Sequence, residues 1–454
     1  MKIHLIGIGG IGMSSLAQYY LAKGHRVSGS DLAQSEITDF LKEKGIGIVI
    51  GNHSRNIKED FDLVVYSLAV KQDNAEYKKA EELGIKLKSY PEALGELTRQ
   101  YFTVAVSGSH GKSTTTAMIG LILAKTGLDP TVIVGTKLKE FGDSNFRMGK
   151  SNFLVIEACE YDGSFLNYEP KIIVVTNIDK EHLDYFKTFL NVVRTFKNFI
   201  LRLPKNGFLV ANKDDPPTYK VSEGQNKFQR KFFSLKQKEA VKIKRILNIP
   251  GQHNVSNALA ALAVARILDV KDSVSLETLS LYKGSWRRFE IIKTKPFIVI
   301  SDYGHHPNEV LATLKSAREK YPNNPGSRAK LGRDLLLRRN LSRPSTTGRK
   351  KIWLIFQPHQ YQRTYYLFRD FIKVFRQAPI DEIIITDIYD VAGREEKKIS
   401  SSVNSKNLVE KINRPYIKYM MVDSAEKYIK KNIKSGDILI IMGAGDIYKL
   451  AGEF

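Results

Sequence analysis

Seven consecutive residues carry the sharpest chemical signal in this chain: Gly108, Ser109, His110, Gly111, Lys112, Ser113 and Thr114. They follow an apolar run, Phe102-Thr-Val-Ala-Val-Ser107, and precede a helical stretch from Thr115 to Lys125. In a glycine-rich turn between strand and helix, backbone amides can cradle phosphates, Lys112 can neutralise them, and Ser113 can ligate Mg²⁺. The G-x-x-G-K-S spacing is two residues shorter than the common phosphate loop. Its placement predicts an ATP-binding loop.

A second glycine cluster lies at the start: Gly7, Gly9, Gly10 and Gly12 in a G-x-G-x-x-G pattern. Such glycines let the backbone turn tightly and approach a pyrophosphate that the following helix N-terminus stabilises. Asp31 ends the next strand-like run, where a carboxylate can meet a ribose hydroxyl. A nicotinamide, a flavin and a UDP-sugar all remain possible occupants of this loop. Two phosphate-binding loops in one chain argue against a simple dehydrogenase and for activation of one substrate by another. A binding-only module would not need the second loop.

Elements that could position these loops are legible as short apolar runs. Lys2–Gly7, His25–Ser30 and Asp62–Ser67 read as strands, with a helix from about Met13 to Lys23. Phe102–Ser107, Phe153–Glu157 and Lys171–Thr176 form a second set. Phe297–Asp302, Lys351–Phe356, Glu382–Thr386 and Asp437–Met442 form a third. Alternation of such runs with helical segments predicts doubly wound, mostly parallel α/β sheets. The reading gives three α/β domains: a Rossmann-like one over 1–99, a phosphate-loop ATPase type over 100–288, and a second Rossmann-like one over 289–454.

Bulk composition bounds the rest. At 454 residues, 42% hydrophobic and 26% charged, the chain is too long for one core and has the balance of a soluble protein. No run approaches the roughly 18 apolar residues of a membrane span. Met1–Gly7 reads as a strand and its loop, not a secretion signal. The single cysteine, Cys159, leaves no intramolecular disulfide and fits a reducing cytoplasm; it reads as a small strand residue. A net charge of +23 raises the question of nucleic acid, but the basic residues are spread along the chain without an RNA-binding aromatic signature or zinc-finger spacing. Neither a nucleic acid nor a membrane is expected as a partner. Residues 323–350 are denser, with eight Lys/Arg against the single acid Asp334, and are expected to form a basic surface excursion without a catalytic role.

Taken in order and spacing, seven segments resemble the Mur ligases over nearly the whole length. They are Gly7-Ile-Gly-Gly-Ile-Gly-Met-Ser14, Gly108-Ser-His-Gly-Lys-Ser-Thr114, Thr176-Asn-Ile-Asp-Lys-Glu-His-Leu-Asp184, Gly251-Gln-His-Asn-Val-Ser-Asn257, Arg287-Arg-Phe-Glu290, Asp302-Tyr-Gly-His-His-Pro307 and Gly443-Ala-Gly-Asp446. The resemblance implies a cytoplasmic, ATP- and Mg²⁺-dependent amide-forming ligase of peptidoglycan precursor synthesis. It implies Glu157, His182 and Ser113 as metal ligands, with Lys112 and Arg288 on the transferred phosphate. Asn254 and Asn257 look like the adenine-side asparagines, although both could instead cap the next helix. Asp302 is similar to the residue that meets the nucleotide once the domains close. The segment Asp302–Pro307 and the run Phe356-Gln-Pro-His-Gln-Tyr-Gln-Arg-Thr364 resemble the branch that adds L-alanine to UDP-N-acetylmuramate, placing His305, His306 and Arg363 on the amino-acid side. A branch that adds a recycled tripeptide shares the His-His-Pro.

Departures from the family pattern fall at Cys159-Glu-Tyr-Asp162, at Leu68 and at Gln360, and concern substrate contacts more than ligase chemistry. Lys197, fifteen residues after His182, stands where some sister ligases carry a modified lysine, and is read as an ordinary surface or packing residue.

Overall fold

The computed structural model describes residues 1–224, 227–322, 350–390 and 397–454. The basic segment 323–350 lies outside the described residues except for Lys350. Contacts divide the chain into two compact units, one of residues 1–248 and 253–286, the other of residues 249–252 and 287–454.

The first unit contains two sheets. The N-terminal one is wholly parallel, in the order β3-β2-β1-β4-β5, from β1 (Lys2–Ile6), β2 (Arg26–Asp31), β3 (Gly47–Ile50), β4 (Leu63–Tyr66) and β5 (Leu87–Ser89). The next has seven strands in the order β12-β11-β10-β6-β9-β7-β8. These are β6 (Phe102–Ser107), β7 (Thr131–Leu138), β8 (Ser144–Arg147), β9 (Phe153–Glu157), β10 (Ile172–Val175), β11 (Phe208–Asn212) and β12 (Gln229–Phe233). β6 lies between β9 and β10, all parallel, so the three chain segments that follow them leave the sheet at one edge. That edge, beyond the carboxyl ends of parallel strands, is where α/β sheets bind ligands. The runs are continuously apolar because both faces are covered: Ile172–Val175 is buried at every position. Ile3, Leu5 and Leu16 from the first sheet layer share one apolar cluster with Ile133, Phe146 and Ile156 from the second.

The second unit is built on a six-stranded sheet, order β13-β14-β18-β15-β16-β17. Its strands are β13 (Glu290–Lys293), β14 (Ile298–Asp302), β15 (Ile352–Phe356), β16 (Glu382–Ile385), β17 (Ile417–Tyr419) and β18 (Ile438–Met442). The α/β class and the parallel sheets are those expected from the sequence. Two antiparallel edge pairings, β7 with β8 and β13 with β14, were not anticipated.

Both loop-bearing helices begin earlier than their apolar periodicity indicates, at Ile11–Ala22 and Lys112–Lys125. Lys112 and Ser113 are therefore the first two helical residues, not part of the loop before them. Among the described residues no helix is long and apolar enough to cross a membrane.

Candidate active site

The phosphate loop is shaped by the segment that follows β10. Asn177 accepts His110 N at 2.9 Å and donates to His110 O at 3.0 Å, while its carbonyl accepts Ser109 N at 3.0 Å. Thr176 Oγ1 donates to His110 O at 2.6 Å, and His110 Nε2 lies 3.0 Å from Asp179 Oδ2. Gly108 and Gly111 adopt φ of 137° and 84°, a region that side chains disfavour. A Cβ on Gly108 would collide with Thr176, and one on Gly111 with Asn257. Gly111 offers no capping side chain to the Lys112–Lys125 helix, whose first turn holds no acid. Its positive end thus suits an anion.

Lys112 is the charge at that end. Its Nζ donates to Gly108 O at 2.6 Å and Ser109 O at 3.2 Å, and lies 3.0 Å from Glu160 Oε2. Glu160 is fully buried. Burial works against the ammonium, but the charge of Glu160, with Cys159 and Glu157 beyond it, more than offsets this and holds Lys112 above the usual lysine range. Burial beside Glu160 pushes the Cys159 thiol up to about 12, so it carries no thiolate at neutral pH.

Glu157 ends β9, opposite Val106 of β6, and its Oε2 accepts Gly135 N at 2.8 Å. Ser113 is buried at the head of its helix. His182 stands in a left-handed conformation, φ 54°, immediately before the short helix Leu183–Phe186, with its ring 4.9 Å from that of Tyr161. Carboxylate and hydroxyl oxygens suit Mg²⁺, and an imidazole is a less usual addition. Asn254 and Asn257 are buried in the first turns of the helix Gln252–Ile267. Asn257 packs against Gly111. Lys197 is exposed on the helix Phe189–Ile200.

The N-terminal glycine loop is tied to β2. Ser30 O accepts Gly7 N at 2.8 Å and Ile8 N at 3.0 Å, and Asp31 Oδ2 accepts Gly9 N at 2.8 Å. Asp31 therefore shapes the loop directly, in addition to any ligand contact. Gly10 precedes the Ile11–Ala22 helix, again without a side-chain cap or an acid in its first turn. The ring of Tyr90 lies 2.8 Å from where a Gly12 Cβ would stand. Burial, and then the charges of Glu157 and Cys159, raise its hydroxyl above the ordinary range. Tyr90 thus neighbours the glycine loop.

In the second unit Asp302 is buried at the end of β14, accepting Phe289 N and Gly304 N at 2.9 Å each. Burial raises its carboxyl despite those bonds and Arg288. Of the paired arginines, Arg287 is buried between the rings of Tyr303 and Tyr448 and donates to the Gly443 and Gly445 carbonyls. Arg288 is half-buried over Tyr303, 3.9 Å from Glu309. His306 precedes the helix Pro307–Lys320 and its Nδ1 accepts Asn308 N at 3.3 Å. His305 lies 3.3 Å from Glu309 and 5.9 Å, ring to ring, from His359. Arg363 Nη1 lies 3.2 Å from His359 Nδ1, and His359 stacks on Tyr389.

Residue types alone had not singled out Glu160, Asn177, His359 and Tyr389. Glu160 carries a signal in the acidic run that starts at Glu157, and His359 in the Phe356–Thr364 segment.

The sequence profile described as "Mur ligase family, catalytic domain" matches residues 2–102, and "Mur ligase middle domain" matches 106–265. A protein of Alkaliphilus metalliredigens named UDP-N-acetylmuramate–L-alanine ligase is 41% identical over 475 residues, covering 99% of this chain and 96% of the relative. One of the same name from Caldanaerobacter subterraneus is 40% identical, covering 100% and 97%. Among solved structures, the UDP-N-acetylmuramate-alanine ligase of Thermotoga maritima matches with a TM-score of 0.76 and 26% identity, covering 100% of this chain and 98% of that one. A murein peptide ligase of Psychrobacter arcticus, 22% identical with a TM-score of 0.69, shares the fold over 100% of this chain and 98% of its own.

Proposed function

This chain belongs to the Mur ligase family, and we propose that it joins the carboxylate of UDP-N-acetylmuramate to L-alanine at the expense of ATP, in peptidoglycan precursor synthesis. The observation that carries the reading is the phosphate loop, with Lys112 seated between its carbonyls and buried Glu160, in a chain that matches alanine ligases end to end. Residues 1–99 bind the UDP substrate through Gly7, Gly9, Gly10, Gly12 and Asp31. Residues 100–288 bind ATP through Gly108 to Thr114, Asn254 and Asn257. Residues 289–454 supply Asp302, His305, His306 and Arg363, and Arg288 stands on the segment just before them. Action in the cytoplasm, where ATP and nucleotide-sugar precursors are held, follows from these substrates.

The substrate carboxylate attacks the γ-phosphorus, the bond to the β-phosphate oxygen breaks, and ADP leaves an acyl phosphate. The deprotonated amine of alanine then attacks the acyl carbon, and phosphate departs from a tetrahedral intermediate. Negative charge gathers on phosphoryl oxygens in both steps. The amides of Gly111, Lys112 and Ser113 and the ammonium of Lys112 are fixed before that charge develops, so stabilisation costs little reorganisation. Arg288 supplies further positive charge. Ser113, Glu157 and His182 would hold Mg²⁺, which neutralises phosphate charge when bound. No protein nucleophile is required, consistent with the raised thiol of Cys159.

Phosphate release with ATP, UDP-N-acetylmuramate and, in turn, alanine, serine, glycine or a muropeptide-derived tripeptide tests this reading. Release that saturates with alanine at the lowest concentration supports it. Release with the tripeptide alone would assign the chain to the recycling branch.

A further inference from the structure

One buried side chain joins the glycine-loop helix to the second sheet. Asn145, on β8, donates Nδ2 to Ile11 O and, at 3.0 Å, to Ser14 Oγ, and its Oδ1 accepts Gln18 Nε2 at 2.9 Å. Gln18 Nε2 also reaches Ser14 O at 3.2 Å, while Gln18 Oε1 accepts Ser144 Oγ at 2.9 Å. Asn145 is 4% exposed and Gln18 7%. Burying two amides costs free energy unless every donor and acceptor is met, and a fully met network accepts one arrangement. Apolar contacts already join the two layers, so these amides add a defined geometry to an interface that would hold without them.

The partner strand of the same hairpin, across from Asn145, reaches the phosphate side. β8 pairs with β7 at Ile133↔Phe146, and two residues beyond Ile133, Gly135 N holds Glu157 Oε2 at 2.8 Å. A covalently continuous hairpin thus runs from the first turn of the Ile11–Ala22 helix to the carboxylate beside the ATP loop.

We propose that Asn145 is a positioning residue for phosphoryl transfer, fixing the helix that holds the UDP substrate against the hairpin that holds Glu157. It sets where the substrate carboxylate meets the γ-phosphate. The inference rests on the ligase reading above. Misplacing reactants by about 1 Å costs roughly a hundredfold in rate, whereas each binding loop keeps its own contacts, from β2 for one and from residues 176–179 for the other.

The test uses the full chain carrying Asn145→Leu, with Gln18→Met as a milder second variant that matches volume and removes one partner from Ser144 and Asn145. Acyl-phosphate formation is followed without amino acid, alongside steady-state kcat and KM and thermal melting. The expected result is a roughly ten- to hundredfold loss of kcat and of acyl-phosphate formation, with the KM values for ATP and UDP-N-acetylmuramate within about threefold and cooperative melting. Wild-type kcat in either folded variant overturns the inference, as does a loss confined to KM for the UDP substrate. Failure of both variants to fold would mark a purely structural role and also overturn it. A wild-type chain that forms no acyl phosphate would instead sink the ligase reading, and this inference with it.

Discussion

Lys112 and Glu160 form a buried ion pair, 3.0 Å apart, across 48 residues of sequence. The lysine of the phosphate loop is thereby held by three acceptors of its own protein, two of them loop carbonyls. A buried pair is costly to break from one side, because the remaining charge keeps its desolvation penalty. Glu160→Gln should therefore destabilise the first unit by about 3 kcal/mol, the lower end for an orphaned buried charge. In the Lys112→Met, Glu160→Gln double variant, the loss should fall short of the sum of the singles by about 1 kcal/mol or more. Denaturant unfolding of the four proteins measures that coupling, and strict additivity would deny the pair any energetic role.

Lys112→Ala should reduce turnover by roughly a hundredfold or more, the scale of removing one charge-stabilising donor. Binding of UDP-N-acetylmuramate should change little, because its glycine loop is built from other residues. Calorimetric titration beside kcat separates the two effects, and near-normal turnover would remove the loop from the mechanism.

Gly135→Ala offers a subtler probe. A Cβ there would lie 2.6 Å from Glu157 Oε2, so the carboxylate must move while the strand can remain paired. The Mg²⁺ concentration for half-maximal activity should rise about tenfold, as for lost support behind a metal ligand. An unchanged Mg²⁺ requirement would separate Glu157 from the metal.

His182→Ala should also raise the Mg²⁺ requirement, with the Ser113 hydroxyl and the Glu157 carboxylate remaining. If activity falls only in step with loss of folded protein, the ring serves packing against Tyr161 instead.

In the N-terminal sheet, burial opposes ionisation of Glu76, but the His4 ring 3.4 Å away and hydrogen bonds from Ser30 and Asn56 prevail and hold its carboxyl below the usual glutamate range. A depressed carboxyl contributes stability that is present above its unfolded value and is lost as pH falls through the folded one. Glu76→Gln should therefore cost about 1–3 kcal/mol at pH 7, and the difference should shrink as the pH is lowered below the ordinary glutamate range. Melting both proteins across pH 3 to 7 checks the sign; a gap that widens in acid would reverse the assignment.

Much of the scaffold could be read from the residues because parallel strands buried on both faces write themselves as apolar runs. Ile172–Val175 and Ile438–Met442 are examples. The two glycine loops were equally plain, since backbone approach to phosphate needs glycine at fixed spacing. Ser144–Arg147 and Glu290–Lys293 were not, being four-residue, polar-flanked edge strands whose pairing is decided by their neighbours. Glu160 could be seen as an acid near Glu157, but its partner could not, because nothing local joins residues 112 and 160. Asn145 gave no signal at all: a lone asparagine in a short strand acquires meaning through the helix packed on it. The basic segment 323–350 falls outside the described residues apart from Lys350, so its sequence reading stands as an expectation.

The most direct measurement follows the oxygen atoms of the substrate. UDP-N-acetylmuramate carrying oxygen-18 in its carboxylate is turned over with ATP and L-alanine, and the released phosphate is analysed by mass spectrometry. Passage through an acyl phosphate predicts one labelled oxygen in each phosphate, because the bond formed at phosphorus persists when the acyl carbon is released. Unlabelled phosphate, alongside the amide product, would contradict that mechanism.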